Sequence, residues 1–226
     1  MTSEQFLEAL DRLVAEKHLL KHPFYVLWTQ GRLTRENLKE YAISYYPHVA
    51  AFPRYVSGVH AGCEDAALRQ ELLENLIEEE RGEENHPALW RRFAVALGAR
   101  PSELDTQART PEVADAIGEF SDTTRRGSVA EGLAALYAYE SQIPEIAKTK
   151  REGLAAFYGV DDAEAIRFFT VHEKADVWHR QVEREALGRV AESDEDRERA
   201  LAAAGRCLDA LNRALDGVMR ENTLAA

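Results

Sequence analysis

The sequence predicts an all-α protein, and three observations indicate this. Apolar residues recur at helical spacing, beginning with Phe6, Leu10 and Val14. Helix-start signals precede the apolar segments, the first being Thr2 with Gln5 three residues later, which is a capping box. No segment alternates like a β-strand, and no Asn-Gly pair indicates a hairpin turn. The predicted fold is therefore a bundle of helices.

The order of the helices follows from the residues that begin and end them. After the first helix, a short one follows Pro23 and ends at Gly31, and Thr34 caps a third. The third helix contains Pro47 and Pro53, so a kink or a break is expected midway. The later helices are predicted over residues 65–80, with a continuation or bend into 87–97, then 111–125, 128–151, 162–187 and 194–215. Because no repeat or low-complexity linker interrupts them, residues 1–226 are expected to form one domain.

Composition and charge argue against several classes of protein. Of the 226 residues, 45% are hydrophobic and 30% charged, which allows a buried core under a solvated surface. The net charge of −12 argues against nucleic acid as a partner, because phosphate binding depends on clustered lysine and arginine. Neither a signal peptide nor a membrane span is expected, since a span needs about 20 apolar residues. Cys63 and Cys207 are too few for a disulfide framework, so a cytoplasmic protein is expected.

Residues 172–179, HEKADVWH, carry metal-ligand side chains on one face of a predicted helix. His172, Asp176 and His179 are spaced by four and then three residues, which places them within roughly 60° of one another around the helix. Two imidazoles and a carboxylate favour iron, manganese or zinc. The alternative without a metal is a solvent-exposed helix face on which two histidines lie on the same side by chance.

A second cluster lies at residues 78–86, EEERGEENH. Glu79 and His86 are seven residues apart, which would put them on one helix face, two turns apart. Glu83 lies between them, and Glu83-x-x-His86 also fits the Glu-x-x-His unit of ferritin-like di-iron bundles. Spacing alone leaves both glutamates open as the ligand. The three other acidic residues of the run are expected to face water: Glu78, Glu80 and Glu84.

The third candidate is Glu140, which lies in the apolar stretch ALYAYESQIPE. A carboxylate in such surroundings is costly to bury unless a positive group neutralises it, and that group is either a metal ion or an arginine. Pro144 cannot donate a hydrogen bond to the carbonyl of Glu140, so a kink is expected beside the carboxylate.

Together these candidates make three carboxylates and three imidazoles, enough for two metal ions or a generously supplied single site. The set is Glu79, His86, Glu140, His172, Asp176 and His179. The three carboxylates would carry three negative charges, which nearly balance the positive charge of two divalent cations. Zinc hydrolases also use mixed ligands, but no serine, cysteine or separate base is placed here to indicate hydrolysis.

At these residues the chain resembles the CADD-like (Chlamydia protein associating with death domains) branch of the haem-oxygenase-like di-metal oxidases. It is more distantly similar to pyrroloquinoline-quinone synthase C and the TenA thiaminases. The resemblance covers nearly the whole chain and is most specific in HPFYVLW, EEERGEENHPALW, ALYAYESQIPEIAKTK and VHEKADVWH. It implies a seven-helix bundle holding an iron–iron or manganese–iron pair through Glu-x6-His, a second Glu and His-x3-Asp-x2-His. That pattern favours Glu79 over Glu83.

The resemblance also implies an activity, which is the formation of para-aminobenzoate for folate synthesis. In this branch the protein consumes one of its own tyrosines and takes the amino group from a lysine, with molecular oxygen and an external reductant as co-substrates. The tyrosine position matches Tyr25, and the lysine position matches Lys150, with Lys148 left open. The alternatives are purely structural roles: Tyr25 as an aromatic residue of the core, and Lys150 as a solvent-exposed residue near the C-terminal end of its helix. The resemblance further implies a homodimer whose other partners are small molecules.

Three other functions are weighed against this one. The first is an oxidase or N-oxygenase of the same fold that acts on an external amino acid or fatty acid. The second is an interaction protein, for which no exposed recognition helix stands out. The third, TenA-like thiamine salvage, relies on a nucleophilic cysteine, and neither Cys63 nor Cys207 lies in the helices predicted to carry the site.

Overall fold

The computed structural model describes residues 1–105 and 107–222, and the side chains of residues 174–179 lie outside that description. The described residues form ten α-helices, joined by loops and two short 3-10 turns. The helices are α1 (Ser3–Glu16), α2 (Pro23–Thr29), α3 (Arg35–Gly62), α4 (Ala66–Glu80), α5 (His86–Ala96), α6 (Pro111–Arg126), α7 (Val129–Glu140), α8 (Ile143–Phe157), α9 (Arg167–Val190) and α10 (Asp194–Glu221). No strand occurs among these described residues, so the all-α prediction is confirmed.

Helix α7 lies at the centre of the bundle, in contact with α10, α9, α6 and α3. Its apolar residues are buried on every side, as expected of a helix that other helices surround. Helix α10 also packs on α6 and α1, α3 packs on α4 and α5, and α8 packs on α9. This arrangement turns parts of α4, α5, α7 and α9 toward one another, and these are the helices that carry the predicted metal ligands.

Most helices begin where a polar side chain caps the first turn. Thr2 and Thr34 form the capping boxes of α1 and α3, in which each threonine oxygen accepts from the backbone N–H three residues later. Asp65, Asn85 and Ser128 cap α4, α5 and α7 in the same way. Each such cap contributes about 1 kcal/mol to helix stability. The predicted starts at Thr2 and Thr34 are confirmed.

Three predicted helices differ in continuity from the structure. Helix α3 is not broken: it continues through Pro47 and Pro53, and its residues are buried by neighbouring helices over most of this length. The predicted helix over 128–151 is divided at Ser141, beside the carboxylate of Glu140 where Pro144 led us to expect a kink. The segment over 65–97 is also two helices, because Gly82 adopts a positive φ of 72° in the connection. The described chain thus has ten helices where the family resemblance implied seven. No helix in the described part of the chain is long and apolar enough to cross a membrane.

A close approach between α2 and α8 depends on Gly153. A Cβ atom at this position would lie 2.6 Å from Nε1 and 2.7 Å from Cδ1 of Trp28. The same indole nitrogen donates a hydrogen bond of 3.3 Å to the backbone carbonyl of Lys150. The glycine therefore lets α2, which carries Tyr25, lie directly on α8, which carries Lys150.

We expect Gly153→Ala to lower the free energy of unfolding by about 1–3 kcal/mol, because the added methyl group overpacks the contact with Trp28. Thermal and urea unfolding would measure the change. Gly118→Ala is the matched control: nothing lies within 4 Å of a Cβ there, and alanine favours a helix interior. A Gly153→Ala protein as stable as the Gly118→Ala protein would contradict the predicted overpacking.

Candidate metal centre and the adjoining lysine pocket

Three predicted ligands meet in the interior of the bundle. Glu79, His86 and His172 each offer a ligand atom, and these atoms all lie within 4.8 Å of one another. Oε1 of Glu79 lies 2.7 Å from Nδ1 of His86, and the two imidazole rings are 4.1 Å apart between centroids. Metal bonds to nitrogen and oxygen are about 2 Å long, so two ligand atoms on one ion lie about 3 Å apart. The spacing of this cluster suits a shared metal ion.

The orientation of His172 is fixed by its own helix. Its Nδ1 lies 2.6 Å from the backbone oxygen of Phe168, one turn earlier in α9. Because a carbonyl oxygen can only accept, Nδ1 carries the proton and donates it, and Nε2 has the lone pair. A backbone hydrogen bond of this kind commonly fixes the tautomer of a metal-binding histidine. His172 therefore offers Nε2 as its ligand atom.

Glu79 and His86 come together by a different route from the one their spacing predicted. We expected one helix face, two turns apart, but Glu79 lies in the last turn of α4 and His86 is the first residue of α5. The connection between the helices turns at Gly82, whose φ of 72° is open to glycine without strain. The turn ends α4 and brings the start of α5 back against it, so the pair meets across a helix–helix corner.

Burial distinguishes the two glutamates that spacing left open. The Glu79 side chain is buried against His86, whereas Glu83 lies in the connection and is exposed. The other acidic residues of the run are exposed as expected: Glu78, Glu80 and Glu84. Of the two, Glu79 is thus the carboxylate that faces the cluster.

Glu140 is buried at the C-terminal end of α7 and is 2% exposed. Nδ2 of Asn75 donates to its carboxylate, at 3.0 Å to Oε1 and 3.4 Å to Oε2. Asn75 lies on α4 one turn before Glu79, which places Glu140 beside the end of α4 that carries a ligand. The three elements that the sequence proposed as ligand carriers, α4–α5, α7 and α9, therefore converge here.

Asp176 and His179 belong to the side chains outside the described part of the structure. The backbone of α9 passes through both positions, and the role of these two residues as ligands stays a prediction. The described donors, two buried carboxylates and two imidazoles, suit iron or manganese. Two buried carboxylates, here Glu79 and Glu140, are stabilised best by cations placed beside them.

A lysine pocket adjoins this cluster. Lys150 is 4% exposed, and its Nζ donates a hydrogen bond of 2.6 Å to the hydroxyl of Tyr41. Aromatic rings surround the ammonium group, with Nζ 4.9 Å from the ring centre of Tyr41, 5.1 Å from that of Trp90 and 5.5 Å from that of Tyr25. Lys148, which the sequence left open, is exposed and 4.0 Å from Glu152.

Burial lowers the pKa of Lys150 to about 7, because the apolar surroundings disfavour the charged form. A large fraction of its amine is therefore neutral near neutral pH. Burial raises the pKa of Tyr25, and the hydrogen bond from Tyr41 opposes this rise only in part, so the Tyr25 phenol keeps its proton. The pocket thus holds a neutral amine and a protonated phenol side by side.

Tyr25 and Lys150 line a small internal cavity with room for about one water-sized molecule, roughly 10 Å³. The cavity reaches the metal-ligand cluster through Phe168, another lining residue, whose ring centre is 4.0 Å from that of His172. Tyr139, which directly precedes Glu140, lines it as well. The lysine pocket and the ligand cluster are therefore neighbours separated by one layer of side chains.

Two buried polar residues of this region were missed in the sequence. Asn75 precedes Glu79 by four residues, a spacing that puts both on one helix face, but an asparagine among exposed glutamates gave no sign of burial. Tyr41 lies in the proline-containing third helix, and its sequence neighbours give no sign of a role at the site. Its contact with Lys150 joins residues 109 apart in the chain, and no local pattern indicates such a contact.

Comparison with known proteins defines the class of this one. A profile of the iron-containing redox enzyme family matches residues 39–212, so the chain belongs to that family. A Shewanella denitrificans domain of unknown function with a haem oxygenase-like fold has a TM-score of 0.82 at 17% identity, covering 99% of this chain and 94% of that one. The predicted haem-oxygenase-like fold is confirmed.

Within the family, the relatives are more specific. The chain is 43% identical over 227 residues to 4-aminobenzoate synthase of Nitrosomonas europaea, covering 96% of this chain and 92% of that protein. It is 40% identical over 218 residues to 4-aminobenzoate synthase of Chlamydia trachomatis, covering 96% and 94%. The resemblance to the CADD-like branch is thereby confirmed, and membership of an iron-containing redox enzyme family supports a metal cofactor.

We expect Glu140→Ala to bind far less iron or manganese than the wild type, because a buried carboxylate beside the cluster is lost. Metal analysis of protein purified without chelator would measure this. Glu83→Ala is the matched control, since it removes an exposed glutamate in the connection between α4 and α5. Wild-type metal loading in Glu140→Ala would remove Glu140 from the site.

We expect Lys150→Met to stabilise the metal-free protein in a pH-dependent way. The pKa of Lys150 is about 7 in the folded state against 10.5 for the free side chain, so the unfolded chain binds more protons between these values. Stability of the wild type is then lost as pH falls from 10.5 to about 7, and the advantage of Lys150→Met should grow over the same range. Melting temperatures at pH 7, 8.5 and 10 would measure it. Lys148→Met, at an exposed position, should show no such trend.

Proposed function

We propose that this protein is an oxygen-activating di-metal oxidase that forms 4-aminobenzoate from its own Tyr25, with Lys150 as the amino donor. The observation that carries the proposal is the lysine pocket: Nζ of Lys150 lies 5.5 Å from the ring centre of Tyr25, in a buried cavity beside the ligand cluster. The 4-aminobenzoate synthases to which the chain is 40–43% identical support the same product.

The carbon skeleton of the product suits a tyrosine source. 4-Aminobenzoate is a benzene ring with a carboxyl carbon opposite a nitrogen, and a tyrosine ring carries Cβ opposite its hydroxyl oxygen. The ring and Cβ of Tyr25 would supply all seven carbons once the Cα–Cβ bond is cleaved and Cβ is oxidised. The nitrogen would replace the phenolic oxygen, which leaves as water, and Lys150 is the amine beside that ring. Its Cε–Nζ bond would break as Cε is oxidised to an aldehyde, with molecular oxygen as the oxidant.

The ligands would hold an iron–iron or manganese–iron pair, which would supply the reduction of molecular oxygen with electrons from an external reductant. The chain's own residues prepare the reactants. Burial keeps much of the Lys150 amine neutral, as a nitrogen nucleophile must be. Nζ of Lys150 donates to the Tyr41 hydroxyl and lies 5.5 Å from the ring centre of Tyr25, so amine and phenol lie side by side. The apolar rings around them exclude water.

The size of the internal cavity favours self-consumption over an external substrate. At roughly 10 Å³ it accepts little more than a water-sized molecule. An organic substrate does not fit there, and the ring of Tyr25 already lies beside the amine. The alternative, an oxidase for an external amino acid or fatty acid, is favoured by a different feature. A surface cavity of about 670 Å³ touches the cluster at His86, and Arg81 and Arg167 also line it. Such a cavity could admit a carboxylate.

Thiamine salvage of the TenA type is less well supported. Cys207 lies on α10, where burial raises the pKa of its thiol to about 12 and makes the thiolate scarce. Cys63 is buried at the end of α3. Neither helix carries a residue of the ligand cluster.

The test is an intact-mass measurement before and after iron or manganese loading, reduction and exposure to oxygen, with no organic substrate added. The wild type should form 4-aminobenzoate at no more than one equivalent per chain and lose mass at residue 25. Tyr25→Phe should load metal normally and form no product, because its ring lacks the oxygen that nitrogen replaces. Normal product from Tyr25→Phe, or repeated turnover on a supplied substrate, would overturn self-consumption.

The amino donor is assigned in the same assay. Protein labelled with ¹⁵N-lysine should yield ¹⁵N-labelled product. Lys150→Arg should abolish that product, whereas Lys148→Arg, at an exposed site on the same helix, should leave it unchanged. Labelled product from Lys150→Arg would remove Lys150 from the role.

A further inference from the structure

Behind the ligand cluster lies a buried carboxamide that none of the roles above uses. Asn75 is 4% exposed and lies on α4, one turn before Glu79. Its Nδ2 donates to Oε1 of Glu140 at 3.0 Å and lies 3.4 Å from Oε2. One helix thus supplies a ligand and also the group that holds a second carboxylate, which comes from α7.

The orientation of the Asn75 carboxamide follows from its neighbours. If Oδ1 faced Glu140, two acceptors would oppose each other, so Nδ2 must be the atom that points to the carboxylate. Oδ1 then points away, is buried and has no hydrogen-bond partner among the described residues. The amide nitrogen is thus used on Glu140, while the amide oxygen has no partner among the described residues. Buried polar atoms in proteins are seldom left without a hydrogen bond.

Asn75 lines a cavity with room for about one water, roughly 10 Å³. Apolar side chains such as Leu72 and Leu133 form most of its wall, and the buried carboxylate of Glu183 faces it as well. A water molecule there could donate one hydrogen to Oδ1 of Asn75 and the other to Glu183. The amide would then be held at both ends.

A neutral donor is well suited to a metal-binding carboxylate. A carboxylate has about four lone-pair positions, and the contact with Asn75 occupies only part of them. An arginine or lysine at this position would neutralise the charge that attracts a cation, whereas a carboxamide fixes the carboxylate and leaves its charge in place. Outer-shell groups of this kind tune metal affinity about 10- to 100-fold.

We propose that Asn75 is a positioning residue of the metal centre, which fixes the Glu140 carboxylate in the orientation that binds metal. This inference rests on the proposed function, because it requires Glu140 to be a ligand. It assigns to α4 a second task besides carrying Glu79, and it gives the buried asparagine a purpose other than packing.

The test is a titration of metal-free protein with Mn²⁺ in the absence of oxygen, following free and bound Mn²⁺ by electron paramagnetic resonance. The wild type should bind two ions per chain. Asn75→Leu, which keeps the side-chain size without the donor, should bind at least one ion about 10- to 100-fold more weakly and alter the spectrum of bound Mn²⁺. Asn75→Ser, whose hydroxyl is too short to reach Glu140, should behave in the same way if the leucine variant does not fold.

Leu76→Ala is the matched control, because Leu76 packs against the core from the same helix and is not part of the wall of this cavity. It should lower the melting temperature while leaving both Mn²⁺ affinities and the spectrum unchanged. Wild-type Mn²⁺ binding by Asn75→Leu and Asn75→Ser would overturn the positioning role alone. The same loss of affinity in Leu76→Ala would also overturn it, since general loosening of α4 would then suffice. A wild type that binds fewer than two ions would instead refute the di-metal proposal on which the inference rests.

Discussion

The interior of this bundle is organised by the need to bury carboxylates without leaving their charge uncompensated. Glu79 and Glu140 are both nearly inaccessible to water, and each has a defined polar neighbour, His86 for the first and Asn75 for the second. Ionised carboxylates in an apolar interior are strongly disfavoured unless cations or donors surround them. Membership of an iron-containing redox enzyme family supports a metal cofactor as the source of that positive charge.

The same constraint shapes the helices around the cluster. Helix α4 ends and α5 begins at the turn where Glu79 meets His86, and α7 ends at Glu140. These candidate ligands therefore lie where a helix begins or ends, and not in the middle of a longer helix. A continuous helix would present Glu79 and His86 two turns apart on one surface, whereas the corner at Gly82 folds them against each other.

Local signals in the sequence were enough to predict the helices and most of their starts, because caps such as Thr2 and Thr34 act within one turn. They also indicated Glu79, Glu140 and His172 by residue type and spacing. The sequence left open whether α4 continues or bends at Gly82 into α5, since a glycine in a charged helical run fits either one. The burial of Lys150 against Tyr41 could not be predicted either, because it depends on how α8 packs against α3 across the core.

The hydrogen bond from the Trp28 indole to the backbone of Lys150 has a mechanical consequence. It ties the short segment bearing Tyr25 to the helix bearing the amine, at the spot where Gly153 removes any side chain between them. Phenol and amine therefore lie on two elements that are joined directly. Any sliding of α2 along α8 that separated the two groups would first have to break this hydrogen bond.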